Sequence, residues 1–121
     1  MSGIDDIAAE RKRHVEEEGW TAKHDDRHSL GEMARAAAVY AYAATLSDEE
    51  CSFHRDRLYG CIRGCFSIIA HLWPWDAHWF KPGARRRMLV KAGALIVAEI
   101  DRLDRSAAKT AAESARIAKA C

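Results

Sequence analysis

Apolar residues recur three or four positions apart along most of the chain, and no segment alternates between apolar and polar residues as a β-strand would. Ser2 and Asp5 have the spacing of a capping box, and Gly19 is a typical residue beyond a helix end. The sequence therefore predicts a first helix that ends near Gly19 and buries one face. That face would comprise Ile4, Ile7, Ala8, Arg11 and Val15.

A polar link, WTAKHDDRH, separates this helix from a second one. Ser29 and Glu32 have the spacing of another capping box and predict the start of the second helix. Its expected buried face is rich in alanine and comprises Leu30, Met33, Ala34, Ala37, Ala41 and Ala44. Because alanine side chains are small, a neighbouring helix could approach this face closely.

Two further helices are expected in the second half of the chain. Ser47 and Glu50 predict a capping box for a third helix, which must stop near Trp73 because the proline that follows lacks an amide donor. A last long helix would begin with Pro82 in its first turn. Its expected buried face comprises Met88, Leu89, Ala92, Leu95, Ile96, Ile100 and Leu103. The alanine-rich tail, residues 106–121, would extend this helix, dock on another subunit or fray.

Four helices with short links predict an all-α fold, an antiparallel bundle of about four helices with an aromatic loop before the last long helix. The 121 residues are expected to form a single helical domain, which is small enough to gain stability from a partner chain. The N-terminus has no signal-peptide pattern, and no apolar run approaches the ~18 residues of a membrane span. We therefore expect a cytoplasmic protein with no membrane contact and with reduced cysteines.

The charge distribution is uneven although the net charge is only +1, a value that argues against a dedicated duplex-DNA binder. Residues 1–60 carry 13 acidic and 8 basic side chains, whereas residues 61–121 carry 5 acidic and 11 basic ones. This asymmetry suits a homo-oligomer, most simply a dimer, or a site with one face for a metal and another for phosphate. Two solvated faces would produce the same pattern.

Four residues of zinc-ligand type lie in the third predicted helix: Cys51, His54, Cys61 and Cys65. On a continuous helix the first and last of them are about 21 Å apart, at roughly 1.5 Å per residue. A zinc ion takes its ligands at roughly 2.0–2.3 Å, so one ion could not use all four. Their spacing favours a buried helical stripe, and no stoichiometric zinc is expected.

Several carboxylates lie near the start of the second helix, where the helix dipole would stabilise each negative charge by about 0.3–1 kcal/mol. The capping box alone explains Glu32. An alternative is a magnesium or manganese site, since oxygen ligands suit both ions. Glu99 lies beside apolar positions of the last helix, and an inward carboxylate needs a partner or a metal. The candidate metal ligands are Asp25, Asp26, Glu32 and Glu99.

The segment LWPWDAHWFKPGARRR combines flat aromatic faces with a cluster of basic residues at an expected helix start. The aromatic residues would either close the end of the bundle or stack on a ligand, and stacking contributes roughly 1–3 kcal/mol per base. A helix N-terminus with arginines nearby is a typical anion site. The segment thus predicts a site for a nucleotide-like anion or, alternatively, a basic face for an acidic partner protein. The candidate ligand-binding residues are Trp73, Trp75, Trp79, Lys81, Arg85, Arg86 and Arg87.

Three blocks, residues 7–41, 73–82 and 85–105, resemble a family of small, mostly uncharacterised proteins encoded by bacteriophages and prophages. The blocks cover more than half of the chain. The resemblance implies an accessory protein in the cytoplasm of a bacterial host and no established activity. Phages carry small proteins that sequester nucleotide immune signals or block host defence proteins, and either role would need no cofactor.

A weaker resemblance is to the MazG-like nucleotide pyrophosphohydrolases, which are all-α, oligomeric and magnesium-dependent. Those enzymes use an E-x-x-E pair on one helix and an E-x-x-D pair on another. Here Arg35 follows Glu32 and Arg102 follows Glu99 at the spacing where the second carboxylate should lie. This departure favours a binding protein over an enzyme, and metal-dependent hydrolysis with magnesium or manganese remains the alternative.

Overall fold

The computed structural model describes residues 2–47, 49 and 68–120, and every regular element within these ranges is helical. The elements are α1 (Gly3–Glu16), α2 (Ala22–Asp25), α3 (Glu32–Ala43), α4 (Ile68–Leu72), a short 3₁₀ helix (Ala77–Trp79) and α5 (Arg85–Ala120). The described residues thus confirm an all-α fold. The capping box at Glu50 and the cysteine stripe from Cys51 to Cys65 lie outside them, and a bundle of about four helices stays a prediction.

Helix α1 begins with the capping box that the sequence predicts. The Ser2 hydroxyl accepts a hydrogen bond from the Asp5 amide at 3.2 Å, and the Asp5 carboxylate accepts from the Ser2 amide in return. The helix ends at Glu16, and Gly19 lies beyond it with a positive φ of 72°. The predicted end is therefore correct to within a few residues.

The predicted buried face of α1 is wrong, since the helix turns a polar face inward. Glu10 and His14 are buried, whereas Ile4 is 82% exposed and Val15 is also exposed. The physical reason lies on α5, which offers the Glu10 carboxylate a hydrogen bond from Arg87. Two members of the predicted face are partly buried, namely Ile7, which packs over Gly93 of α5, and Arg11, which pairs with Asp25.

Helix α3 begins two to three residues later than its predicted capping box. Its N-cap is Gly31, with a φ of 84° in the left-handed region and no side-chain cap. The Glu32 carboxylate instead accepts a hydrogen bond from the Leu30 amide at 2.6 Å. Leu30, expected to be buried, is 78% exposed. The buried residues of α3 are Met33, Ala36, Ala37, Val39, Tyr40 and Ala43.

Helix α4 ends at Leu72, directly before Trp73, as the sequence predicts. Helix α5 begins at Arg85, so Pro82 lies three residues before the helix and not in its first turn. The helix then runs without interruption to Ala120, and the alanine-rich tail extends it.

Helix α5 buries part of the expected face, since Met88, Ala92 and Leu95 are buried as predicted. The buried side chains are Met88, Val90, Ala92, Ala94, Leu95, Ala98 and Glu99. Four of the residues expected in the core are about half exposed, namely Leu89, Ile96, Ile100 and Leu103. Ala92 and Ala98 lie in the core together with alanines of α3, and these small side chains allow the two helices to pack closely.

The core lies between α3, α4 and α5. Its largest buried side chains include Met33, Ile69 and Phe80, and Trp73 packs with them. None of the helices in the described ranges is both long enough and apolar enough to cross a membrane.

Candidate functional site

A cavity of about 370 Å³ opens between α1, α2, α3, α5 and the aromatic loop, residues 73–82. This volume lies at the lower end of the range of about 300–1,000 Å³ that is usual for small-molecule sites. Five large aromatic side chains line it, and they are Trp20, Tyr40, Trp73, Trp75 and Trp79. The cavity is therefore suited to one small molecule with a flat, apolar body.

The tryptophans of the aromatic loop have two different roles. Trp73 is only 7% exposed, and its ring crosses those of Tyr40 and Trp75 nearly at right angles, with centroids 5.7 and 5.6 Å away. Its indole nitrogen donates a hydrogen bond to the Asp76 carbonyl at 3.0 Å, which fixes the loop on the core. Trp79, in contrast, is 46% exposed at the cavity. The loop thus closes the core with one indole and offers others to the cavity.

A row of five rings runs from α1 to the aromatic loop along the cavity wall. Successive centroids are 4.6, 6.0, 5.1 and 5.3 Å apart. In order, the rings belong to His14, Trp20, His24, His28 and Trp75. Since α2 is only one turn long, these contacts hold the polar link that the sequence places between the first two long helices.

A buried carboxylate lies at the α1 side of the cavity. Arg13 donates hydrogen bonds to Glu10 at 2.7 and 3.1 Å, and Arg87 donates another. Burial by itself would raise the pKa of the Glu10 carboxyl, but the hydrogen bonds from the two arginines outweigh it and lower that pKa to about 2. Glu10 is therefore ionised at neutral pH.

One turn further along α1, His14 is 3% exposed, and burial lowers its pKa to about 4. The imidazole is therefore neutral at pH 7. Its Nε2 lies 3.2 Å from the Glu10 carboxylate, which would repel a lone pair there and therefore favours the tautomer with the proton on Nε2. The Nδ1 atom is consequently an acceptor. It is buried and has no hydrogen-bond partner among the residues that the structure describes.

Two more cavity-lining side chains keep a buried nitrogen without a partner in the described ranges. Arg11 pairs with the buried carboxylate of Asp25 through Nη2, but its Nη1 makes no hydrogen bond. The indole nitrogen of Trp75 also makes none. Both atoms are donors only. Together with His14, the side chains around the cavity thus hold two donors and one acceptor for which the described part of the chain has no partner.

Two lysines also line the cavity. The Lys91 ammonium donates a hydrogen bond to the Lys81 carbonyl at 2.9 Å and lies 5.4 Å from the Tyr40 ring centroid. Burial lowers the pKa of Lys91, and the positive charge of Arg87 adds to this effect. Within residues 2–47 and 68–120, neither lysine forms an ion pair with a carboxylate. Their charges are available to an anion.

No family model, characterised protein or solved structure matches this chain. What the cavity can bind follows from its own residues.

The structure brings together some of the candidate ligand-binding residues and separates others. Four of them line the cavity, namely Trp73, Trp75, Trp79 and Lys81. The three arginines lie outside its lining. Arg86 pairs with Asp6 at 2.6 Å, and Arg87 pairs with Glu10. The expected arginine cluster is therefore used largely for contact between α1 and α5, and Arg85 is exposed to solvent.

The four candidate metal ligands are paired one by one with other groups. Asp25 pairs with Arg11, and Asp26 with Arg105 at 2.8 Å. The Glu32 carboxylate accepts a hydrogen bond from the Leu30 amide. Glu99 is buried, as expected from its position in α5, and pairs with Arg102 at 2.5 Å. The described residues contain no group of three histidine, cysteine or acidic side chains placed to hold a metal ion.

Several residues of the cavity do not stand out in the sequence. Glu10 and His14 line the cavity, and together with Asp6 they recur at helical spacing and mark a polar stripe on α1. Such a stripe ordinarily faces solvent. Trp20 and Lys91 give no local signal at all, because only the packing of α1, α3 and α5 brings them to the same cavity.

Proposed function

We propose that this protein is a binding protein for one small, planar, anionic ligand of nucleotide type. The observation that supports it best is the cavity of about 370 Å³, which combines tryptophan walls with two lysines that have no carboxylate partner in the described ranges. These two features correspond to two parts of such a ligand, the ring and its charge.

The aromatic walls suit a base. Trp20 and Trp75 both line the cavity, and each is only partly buried, so a face or an edge remains accessible. A base that stacks on an indole gains roughly 1–3 kcal/mol. The volume limits the ligand to about the size of a mononucleotide, since sites for larger ligands extend towards 1,000 Å³.

The anionic group is assigned to Lys81 and Lys91 and not to the arginines at the start of α5. Burial destabilises the charge of Lys91, and an anion placed beside it would compensate. Arg86 and Arg87, in contrast, are already paired with carboxylates of α1.

Binding is favoured here over metal-dependent hydrolysis. Each carboxylate of the candidate metal set already has its own partner. In both acidic pairs of the hydrolase pattern, an arginine takes the place of the second carboxylate. A protein that binds the ligand and does not convert it would sequester that ligand. Phages carry small proteins with such a role, and the chain resembles a family of small, mostly uncharacterised phage proteins.

Isothermal titration with a panel of mononucleotides and cyclic nucleotides, with and without magnesium, tests the proposal. We expect at least one of them to bind in the absence of metal and to be recovered intact. Lys91→Gln should weaken that binding and reduce its salt dependence, because a charge contact is lost. Lys109→Gln is the matched control, since Lys109 is an exposed lysine of α5 away from the cavity. Absence of binding across the panel would contradict the proposal, as would equal effects of the two variants.

A further inference from the structure

A regular stripe of apolar and small residues runs along α5 and continues into the alanine-rich tail. Its members are separated alternately by four and three positions. A mean spacing of 3.5 residues, kept over three heptads, is typical of a helix that packs lengthwise against another helix. This heptad stripe comprises Ile96, Ile100, Leu103, Ala107, Thr110, Ser114 and Ile117.

Every member of the heptad stripe is exposed. Beside Ile96 and Ile100, a groove of about 250 Å³ lies between α5 and α3. The α3 side of the groove is formed by alanines, namely Ala34, Ala37, Ala38 and Ala41. Residues 106–120 at the other end of α5 are exposed on all sides of the helix. The fold thus leaves both an apolar groove and a helical tail uncovered.

The two halves of the heptad stripe differ in size. The half that adjoins the groove carries the large side chains of Ile96, Ile100 and Leu103. The first three members in the tail are the small residues Ala107, Thr110 and Ser114. The Thr110 hydroxyl donates a hydrogen bond to the Ser106 carbonyl at 3.0 Å, so burial of Thr110 would not leave this donor unpaired.

The two halves are complementary when one helix runs antiparallel to the other. Each large residue has a small counterpart at the same distance on the other side of residue 105. The pairs are Leu103 with Ala107, Ile100 with Thr110, and Ile96 with Ser114. An antiparallel second α5 centred on residue 105 therefore sets a large side chain against a small one in each of these layers, which allows even packing. A parallel helix in register would set large against large and small against small.

The only helix known from this chain to carry the complementary pattern is α5 itself. Both halves belong to one unbroken helix, so one chain cannot bring its own two halves together. A second copy can do so, and two-fold symmetry then forms each layer twice.

We infer that a second copy of this chain docks antiparallel along α5, so that the tail of each copy lies along the groove between α3 and α5 of the other. The inference is independent of the proposed function. Helix α5 lines the ligand cavity through Lys91, Leu95 and Ala98, which project from a different side of the helix than the heptad stripe. It goes beyond an oligomeric state because it assigns the surface, the orientation and the register.

Two complementary variants test the register. In the antiparallel homodimer of Ile100→Thr, threonine faces threonine, and in that of Thr110→Ile, isoleucine faces isoleucine. A heterodimer of the two variants again sets isoleucine against threonine in both layers. Native mass spectrometry of an equimolar mixture should therefore show heterodimers outnumbering the two homodimers together by at least about fivefold, because mismatched volumes destabilise only the homodimers. Random pairing would give equal numbers.

The matched control is a mixture of Ile100→Thr with Ala112→Ile. Ala112 is also an exposed residue of the tail but lies outside the heptad stripe, so this mixture should show no excess of heterodimer. A mixture of Ile96→Ser with Ser114→Ile repeats the test in a neighbouring layer and should show the excess. These substitutions are all at exposed positions, and far-UV circular dichroism verifies that each variant is folded.

Two results would overturn the inference. A single-chain mass for the unmodified protein at micromolar concentration, measured by sedimentation equilibrium, would leave the groove and the tail to a different partner. A dimer that shows no heterodimer excess in either layer would mean that the two copies associate in another orientation or through another surface. Ligand binding in the cavity is measured separately, so neither result bears on the proposed function.

Discussion

Arg87, at the start of α5, donates a hydrogen bond to the carboxylate of Glu10, which is buried on α1. The contact joins residues 77 positions apart in the sequence. It explains why α1 can present a polar face to the interior, since Arg13 and Arg87 together satisfy the charge that this face buries. Of the three consecutive arginines, Arg87 therefore stabilises the fold, Arg86 forms an ion pair with Asp6, and Arg85 is exposed to solvent.

The first prediction concerns the stability of variants of these arginines. Arg87→Ala should lower the free energy of unfolding by about 1–3 kcal/mol, because a buried carboxylate loses a hydrogen bond. Arg86→Ala should cost less, about 1 kcal/mol, since the Arg86 side chain is 62% exposed in its pair with the partly buried Asp6. Arg85→Ala, the exposed control, should leave stability nearly unchanged. Urea denaturation measures all three, and an equal effect of the three variants would contradict the distinction.

The second prediction is a pH dependence due to His14. Burial lowers the pKa of its folded form to about 4, below the ordinary value of 6.5. Between about pH 4 and pH 6.5, the unfolded chain therefore binds a proton at His14 that the folded chain does not bind. Stability is therefore complete above pH 6.5 and falls as the pH drops towards 4, by about 3 kcal/mol at roughly 1.4 kcal/mol per pKa unit. The folded form of Glu10, with its pKa lowered to about 2, adds a further loss only below its ordinary value of 4.5.

Denaturant unfolding at intervals between pH 8 and pH 4 measures this dependence. His14→Gln should flatten the curve between pH 6.5 and pH 4, because glutamine does not titrate. His78→Gln is the control, since His78 is exposed, and it should keep the slope of the unmodified protein. Curves of equal slope for the unmodified protein and His14→Gln would show that His14 is not the group responsible.

The third prediction separates two tryptophans of the aromatic loop. Trp73→Ala should cost about 3–5 kcal/mol of stability, because its buried ring packs against Tyr40, Trp75 and Phe80. Trp79→Ala should cost about 1 kcal/mol or less, since Trp79 is 46% exposed. Far-UV circular dichroism follows unfolding in both variants without depending on the indoles. A Trp79 variant that is as unstable as the Trp73 variant would be evidence against this division.

The fourth prediction concerns the contact between α1 and α5. A Cβ atom at Gly93 would lie 2.5 Å from Ile7 Cδ1 and 2.9 Å from Cγ1, which is too close. Gly93→Ala should therefore destabilise the protein by about 1–3 kcal/mol through overpacking, although alanine has the higher helix propensity. In an Ile7→Ala background the clash disappears, and the same substitution should stabilise by about 1 kcal/mol. Thermal or urea unfolding of the four proteins gives the coupling, and an equal effect in both backgrounds would refute it.

The fifth prediction is that the protein forms a homo-oligomer, most simply a dimer. The uneven charge of the two halves first suggested it, and α5 exposes a stripe that includes Ile96, Ile100 and Leu103. Static light scattering should give a mass above that of one chain, and Ile100→Glu should reduce it by placing a charge on the apolar stripe. Ile4→Glu, a change at an exposed apolar residue of α1, is the control. A single-chain mass for the unmodified protein would rule the prediction out.

The candidate site was predictable where its residues are neighbours in sequence. Trp73, Trp75, Trp79 and Lys81 fall within nine positions, and their aromatic and basic chemistry is evident without a structure. The residues contributed by α1 and α5 could not be found in this way. Glu10 and His14 belong to a polar stripe, and a polar stripe predicts a solvated face unless a distant residue such as Arg87 makes its burial favourable.

The sequence by itself determined the helical class, the capping box at Ser2 and the end of α4 before Trp73, because each depends on contacts within a few residues. Tertiary structure decided which face of each helix is buried. Helix α5 carries two apolar stripes, one through Met88, Ala92 and Leu95 and another through Leu89, Ile96 and Ile100. Both have helical spacing, so periodicity cannot choose between them. Packing makes the choice, because only the first stripe lies with the alanine-rich α3 in the core, where burial of apolar side chains is favourable.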